Sequence, residues 1–135
     1  MENKYKISIR LLSDEYVFEN NIKTLENYKI KISKKGESII PNNQNSSFKA
    51  RTNVLVIEHI YDEQFSNINI DDDYNRLNKI FDIIKEQFKG INIKKEFYLT
   101  CTINNDQFGF GIDRKLIELL SNYGYSLIVS GIAFS

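Results

Sequence analysis

Residues 5–11 alternate: Tyr5, Ile7, Ile9 and Leu11 are apolar, and Lys6, Ser8 and Arg10 between them are polar. A period of two is that of a strand with one wet face. Ser13, Asp14 and Glu15 break the pattern. Phe18, Ile22 and Leu25 then fall at helical spacing, which predicts a short helix over 18–25. Tyr28, Ile30 and Ile32 alternate with lysines and read as a short edge strand. The stretch 33–49 holds the single proline and a polar run over 42–47, the composition of a surface loop.

A second strand is predicted over 51–61. Its centre, Val54-Leu55-Val56-Ile57, is continuously apolar, which suggests a strand central in the sheet or buried on both faces. The clearest helix covers 71–88. Tyr74, Leu77, Phe81, Ile84 and Phe88 recur at steps of three and four, with Ile80 and Ile83 widening the stripe. Three aspartates open it, where carboxylates favour free amides and the helix dipole, and Gly90 closes it. Phe97, Leu99, Cys101 and Ile103 alternate with Tyr98, Thr100, Thr102 and Asn104 as a third strand with a polar face. Gly109 and Gly111 mark a turn. Asp113 then caps a helix on which Ile112 can staple onto Ile117, Leu116, Leu120 and Tyr123 share a face, and Gly124 is the stop. An apolar strand over 125–134 follows.

The order is β-α-(β)-loop-β-α-β-α-β within one domain, 1–135. Two strands with a wet face argue against a parallel sheet covered on both sides. The expected fold class is α+β: a two-layer sandwich with a mostly antiparallel sheet of four to five strands and helices on one face, ferredoxin-like in general character.

Composition narrows the function classes. The 135 residues carry 18 basic and 18 acidic side chains, and this balance argues against nucleic acid, whose phosphates call for a basic face. No apolar run reaches membrane-spanning length, and no secretory leader pattern opens the chain, so no membrane partner is expected. One cysteine excludes an internal disulfide framework and fits a reducing, cytoplasmic setting. The bias toward Ile, Lys and Asn is that of an A+T-rich genome, so polar Asn/Lys stretches carry little functional information.

Each apparent chemical motif has a structural explanation. Asp71-x-Asp73-x-Asn75 with Asp82 at the twelfth position mimics a calcium loop, but Arg76 stands where that loop needs glycine, and a helical stripe runs through it. Phe108-Gly109-Phe110-Gly111 resembles an RNA-stacking segment without its flanking basic residues. His59 and Cys101 are the sole residues of their kinds, too few for a usual zinc set. A Cys–His nucleophile pair would need the two to meet, whereas Cys101 falls on the apolar side of its strand. No cofactor, metal or catalytic residue is therefore assigned. Asp62, Glu63, Asp71, Asp72 and Asp73 form an acidic stretch suited to capping a helix or to docking a basic partner. Arg51, His59, Tyr98 and Thr100 are candidates to line an open sheet face.

Arg51-Thr52-Asn53-Val54-Leu55-Val56-Ile57-Glu58 resembles the central strand motif of the bacterial family called domain of unknown function 4279. Phe108-Gly109-Phe110-Gly111-Ile112-Asp113, continuing through Leu116, Leu119, Leu120, Tyr123 and Gly124, is similar to that family's C-terminal signature, and Lys35-Gly36-Glu37 to its lysine-glycine-acid turn. The likeness spans nearly the whole chain, with one departure: Leu55 stands where the family usually has tryptophan, and the chain has none. The resemblance implies a small α+β domain without established enzymatic activity or assigned catalytic residues. Some relatives of this kind look like immunity proteins that neutralise a partner toxin. The functional expectation is thus a non-enzymatic protein-binding domain, an immunity or inhibitor protein, whose contact surface is the acidic link 62–73 with the loop 33–49. The alternative is a small-molecule-binding or enzymatic domain using the open sheet face.

Overall fold

The computed structural model describes residues 4–19, 28–37, 51–61, 71–103 and 114–133, with the backbone alone at 4–5, 59–61, 71–73, 101–103 and 132–133. Its elements are β1 (Lys4–Ser13), β2 (Lys29–Ser33), β3 (Asn53–Tyr61), α1 (Asp71–Gln87), β4 (Lys94–Ile103), α2 (Arg114–Tyr123) and β5 (Tyr125–Ala133). The strands form one mixed sheet in the order β2-β3-β1-β4-β5. β1 pairs antiparallel with both β3 and β4, β2 pairs antiparallel with β3, and β4 pairs parallel with β5. Both helices lie on one side, so the chain is an α+β two-layer fold with a mostly antiparallel sheet.

The connectivity follows from the pairings. β3 and β4 are each antiparallel to β1, hence parallel to one another, and α1 carries the chain between them past β1. Two parallel strands need a crossover of this length. α2 then makes the same kind of crossover from β4 to its neighbour β5.

Alternation sorts every strand into two faces. Ile7, Ile9 and Leu11 on β1 pair with residues of β3 and β4 such that Leu55, Ile57, Phe97 and Leu99 share their face. All of these are buried, together with Leu77, Ile80, Phe81 and Ile84 of α1, Phe88 in the turn after it, and Leu116, Leu119 and Leu120 of α2. Burying each such side chain contributes about 1.5–3 kcal/mol, and this layer is the core. Phe81 is its hub: it meets Phe97 edge-on at 6.4 Å and stacks on Tyr125 at 4.3 Å between ring centroids. α2 ends directly at Gly124 (φ 75°), and the turn that follows α1 closes with Gly90 (φ 80°), both in the left-handed conformation that side chains with a Cβ resist.

Two expectations are corrected. Phe18 and Glu19 are not helical; the rest of the expected 18–25 helix lies outside the described residues. Phe18 is instead a buried anchor, 5.3 Å from Tyr16 and 5.6 Å from Phe88 in edge-to-face contacts, so its apolar character serves packing rather than a helix stripe. β3 is not central: it lies one place in from the β2 edge, and Val54 and Val56 on its second face are only half-buried. The central strand is β1. Of the expected loop 33–49, residues 34–37 form a turn closed by Glu37 N–H donating to the Lys34 carbonyl at 3.0 Å, and 38–49 lie outside the described residues. The predicted Gly109–Gly111 turn, the Asp113 cap and the Ile112 half of the staple are likewise outside them.

Candidate functional site

The face opposite the helices is built from the even-numbered residues of β1, β3, β4 and β5 and the odd-numbered residues of β2. At its centre the Arg10 guanidinium lies 4.3 Å over the Tyr98 ring, and its Nη1 donates to the Tyr98 hydroxyl at 3.2 Å. The two residues are 88 apart in sequence. Register brings them together: Ser8 pairs with Tyr98 and Arg10 with Glu96, so Arg10 and Tyr98 are diagonal neighbours. The contact holds the guanidinium flat against the sheet. Its Nε is buried without a hydrogen-bond partner among the described residues.

Ion pairs flank this centre. Glu58 lies between Lys29 at 3.8 Å and Lys31 at 3.5 Å, across the β2–β3 pairing. Glu96 is buried and meets Lys94 at 3.9 Å. Toward β5, the Ser130 hydroxyl donates to Thr100 Oγ1 at 3.3 Å. The described charges on this face are Lys6, Arg10, Lys29, Lys31 and Lys94 against Glu58 and Glu96. A chain of zero net charge therefore presents a basic sheet face.

A second polar cluster ties α1, α2 and β4 together on the helix side. Tyr123 hydroxyl donates to the Asp82 carboxylate. It also lies 3.0 Å from the side-chain amide of Asn78. A phenol has one proton and the carboxylate only accepts, so Asn78 is best oriented with its N–H toward the phenol oxygen. The bond to Asp82 holds the Tyr123 phenol above its ordinary ionisation range. Lys95 Nζ donates to the Tyr123 carbonyl at 2.9 Å, satisfying a free carbonyl at the end of α2. Partial burial, with Lys85 nearby, lowers the Lys95 ammonium below its usual value. Burial raises the Tyr125 phenol above its usual range, and its hydroxyl meets no hydrogen-bond partner among the described residues. These contacts are internal to the layer and act as structural ties.

Two clefts lie away from the open face. One, of about 490 Å³, is lined by Ser13, Asp14, Glu15, Tyr16, Gly90, Ile91 and Asn92 at the end of β1. The other, of about 430 Å³, lies between Tyr74 and Asn75 of α1 and Lys115 and Glu118 of α2. Among the described residues no group of three His, Cys, Asp or Glu side chains is placed to hold a metal ion.

Of the residues singled out from sequence, Tyr98 and Thr100 stand together on the open face. Arg51 lies in the bend before β3 and is exposed. His59 holds the register position opposite Ile7, in the parity of the helix-covered face. Cys101 shares that parity on β4, opposite Tyr5, so the backbones of His59 and Cys101 are separated by the whole of β1, two strand spacings across and two residues along the sheet, roughly 11–12 Å. Asp71, Asp72 and Asp73 form the first turn of α1, with their side chains outside the described residues, as are Asp62 and Glu63 altogether. Sequence reading missed Arg10, Glu58 and Glu96 as parts of a site. Each sat at a polar position of an alternating strand, but only the register shows that they converge.

No family model matches the chain, and neither a curated protein nor a solved structure matches it significantly. The likeness to domain of unknown function 4279 rests on the residues quoted above. No helix among the described residues is long and apolar enough to cross a membrane.

Proposed function

We propose that this chain is a non-enzymatic binding domain that presents the open face of its sheet to an acidic protein surface. The observation that carries the reading is the Arg10–Tyr98 pair on the two innermost strands of a face where basic side chains outnumber acidic ones. Arginine and tyrosine are enriched at the energetic centres of protein interfaces, and here a ring of Lys29, Lys31, Lys94 and the serines of β5 surrounds them as a polar rim. A flat, hydrogen-bonded sheet supports such an anchor at little further conformational cost. A basic rim steers an acidic partner into register. The family resemblance extends this reading to an immunity or inhibitor role against a partner toxin, for which the same face is the contact surface.

The alternative, a ligand-binding or enzymatic open face, needs a concavity. The clefts described lie at the end of β1 and between the helices instead.

Immobilised wild-type protein and an Arg10→Glu/Tyr98→Ala variant, each exposed to lysate of the source organism with and without nuclease treatment, test the proposal. One protein retained by the wild type and lost with the variant supports it. Equal capture by both, or capture abolished by the nuclease, refutes it.

A further inference from the structure

The two edges of the sheet differ in how they meet solvent. β2 is five residues long and bears Lys29 and Lys31, so a second β2 laid against it would oppose lysines. Short, charged edges of this kind block edge-to-edge pairing. β5, at the other edge, is nine residues long, Tyr-Ser-Leu-Ile-Val-Ser-Gly-Ile-Ala, with neither charge nor proline. Among the described residues no strand pairs with its outer side. Of the three large exposed hydrophobics described, Val129 (44% exposed) is on β5, and Ile117 (51%) is on α2, the helix leading into it.

The order of residues along β5 is also close to symmetric. About Ile128, Leu127 mirrors Val129 and Ser126 mirrors Ser130, and the next pair sets bulky Tyr125 against Gly131. In an antiparallel pair, directly opposed residues share a face and interact. A β5 strand centred on a second β5 would therefore match aliphatic with aliphatic and hydroxyl with hydroxyl, and would set the small Gly131 beside the strand end whose Tyr125 ring is already packed on Phe81. No like charges meet anywhere along it.

We propose that the chain forms a two-fold dimer through antiparallel β5–β5 pairing with Ile128 at the axis. A self-complementary edge is what an isologous interface requires. The axis stands perpendicular to the sheet, so the result is one continuous ten-stranded sheet. Both α2 helices, each with its Ile117, flank the axis on one side, and the two basic faces join on the other. The proposal is independent of what those faces bind.

Sedimentation equilibrium of the full chain tests it, paired with Val129→Lys, which places a cation on the exposed edge. The expected result is a dimer for the wild type and a monomer for V129K, with unchanged circular dichroism. A cross-link supplies an independent readout. Ile128→Cys in a Cys101→Ser background puts two thiols face to face on the axis and within disulfide reach; mild oxidation should give a reducible dimer in high yield. If V129K fails to fold, the cross-link decides. A wild type that stays monomeric at millimolar concentration, a dimer indifferent to V129K in its folded form, or no I128C cross-link each overturns the proposal.

Discussion

The two faces of this sheet are made by the same strands yet obey different physics. On the helix-covered face the side chains of Leu11, Leu55, Phe97 and Leu99 are wholly buried, and the layer is held by apolar contact. On the open face, one residue away along each strand, Arg10 lies over the Tyr98 ring, Glu58 makes long ion pairs with Lys29 and Lys31, and Glu96 makes one with Lys94. The first face determines whether the chain folds. The second, held mainly by long ion pairs between partly exposed side chains, is expected to contribute far less.

That division is most sharply tested by Phe97→Ala. Phe97 is 0% exposed and touches Phe81, so its loss leaves a cavity beneath α1 and should cost about 3–5 kcal/mol in urea unfolding. A cost below about 1 kcal/mol would mean that the helix layer is not the cohesive one.

Asn53 is a polar member of the buried face. Its Oδ1 accepts the Lys35 N–H at 2.8 Å and ties the 34–37 turn to β3. Asn53→Ala strands that contact and should destabilise by about 1–3 kcal/mol, with hydrogen exchange rising first in β2 and its turn.

Tyr125 should behave in the opposite sense. Its buried hydroxyl finds no partner among the described residues, so Tyr125→Phe is expected to be neutral or stabilising by up to about 1 kcal/mol at pH 7. The alkaline limb separates the two variants further. The folded state holds the Tyr125 proton more tightly than the unfolded chain, whose phenol ionises near 10.0. The stability this supplies is whole below about pH 10 and is lost as pH rises above it. Tyr123 adds with the same sign, whereas the lowered Lys95 works against it over the same range. Thermal melts from pH 8 to 12 should show a shallower alkaline decline for Tyr125→Phe than for the wild type.

The smallest effect belongs to the open face. Glu58→Gln removes two long surface ion pairs and should change stability by no more than about 0.5 kcal/mol, with no dependence on salt beyond that of the wild type. A larger loss would show that the open face also carries folding energy.

Much of this architecture was legible because side-chain periodicity reports burial directly. The alternation of Tyr5 through Leu11, the stripe from Tyr74 to Phe88 and the glycines at 90 and 124 mark β1, α1 and the two helix ends. Periodicity is silent on how many neighbours a strand has. The apolar run Val54–Ile57 suggested a central strand, yet β3 lies beside an edge strand and the equally apolar β5 is itself an edge. Phe18 shows a second limit, since helical spacing over a few residues cannot be told from a single buried anchor in an extended segment. The site was legible in part. Tyr98 and Thr100 could be chosen as polar positions of one strand, but their link to Arg10 exists through a register spanning 88 residues, which no local pattern encodes.

The central position of β1 also bears on how the protein is made. Tyr5 pairs with Tyr61 on one side and Cys101 on the other, so β1 is synthesised before either of its partners: it has none until β3 follows and gains its second only with β4. Until then a stretch of alternating isoleucines waits with both edges bare. Such long-range closure slows folding and prolongs the exposure of sticky chain. The lysines and arginine spaced through β1 are therefore well placed to keep the nascent strand dispersed before they become part of the open sheet face.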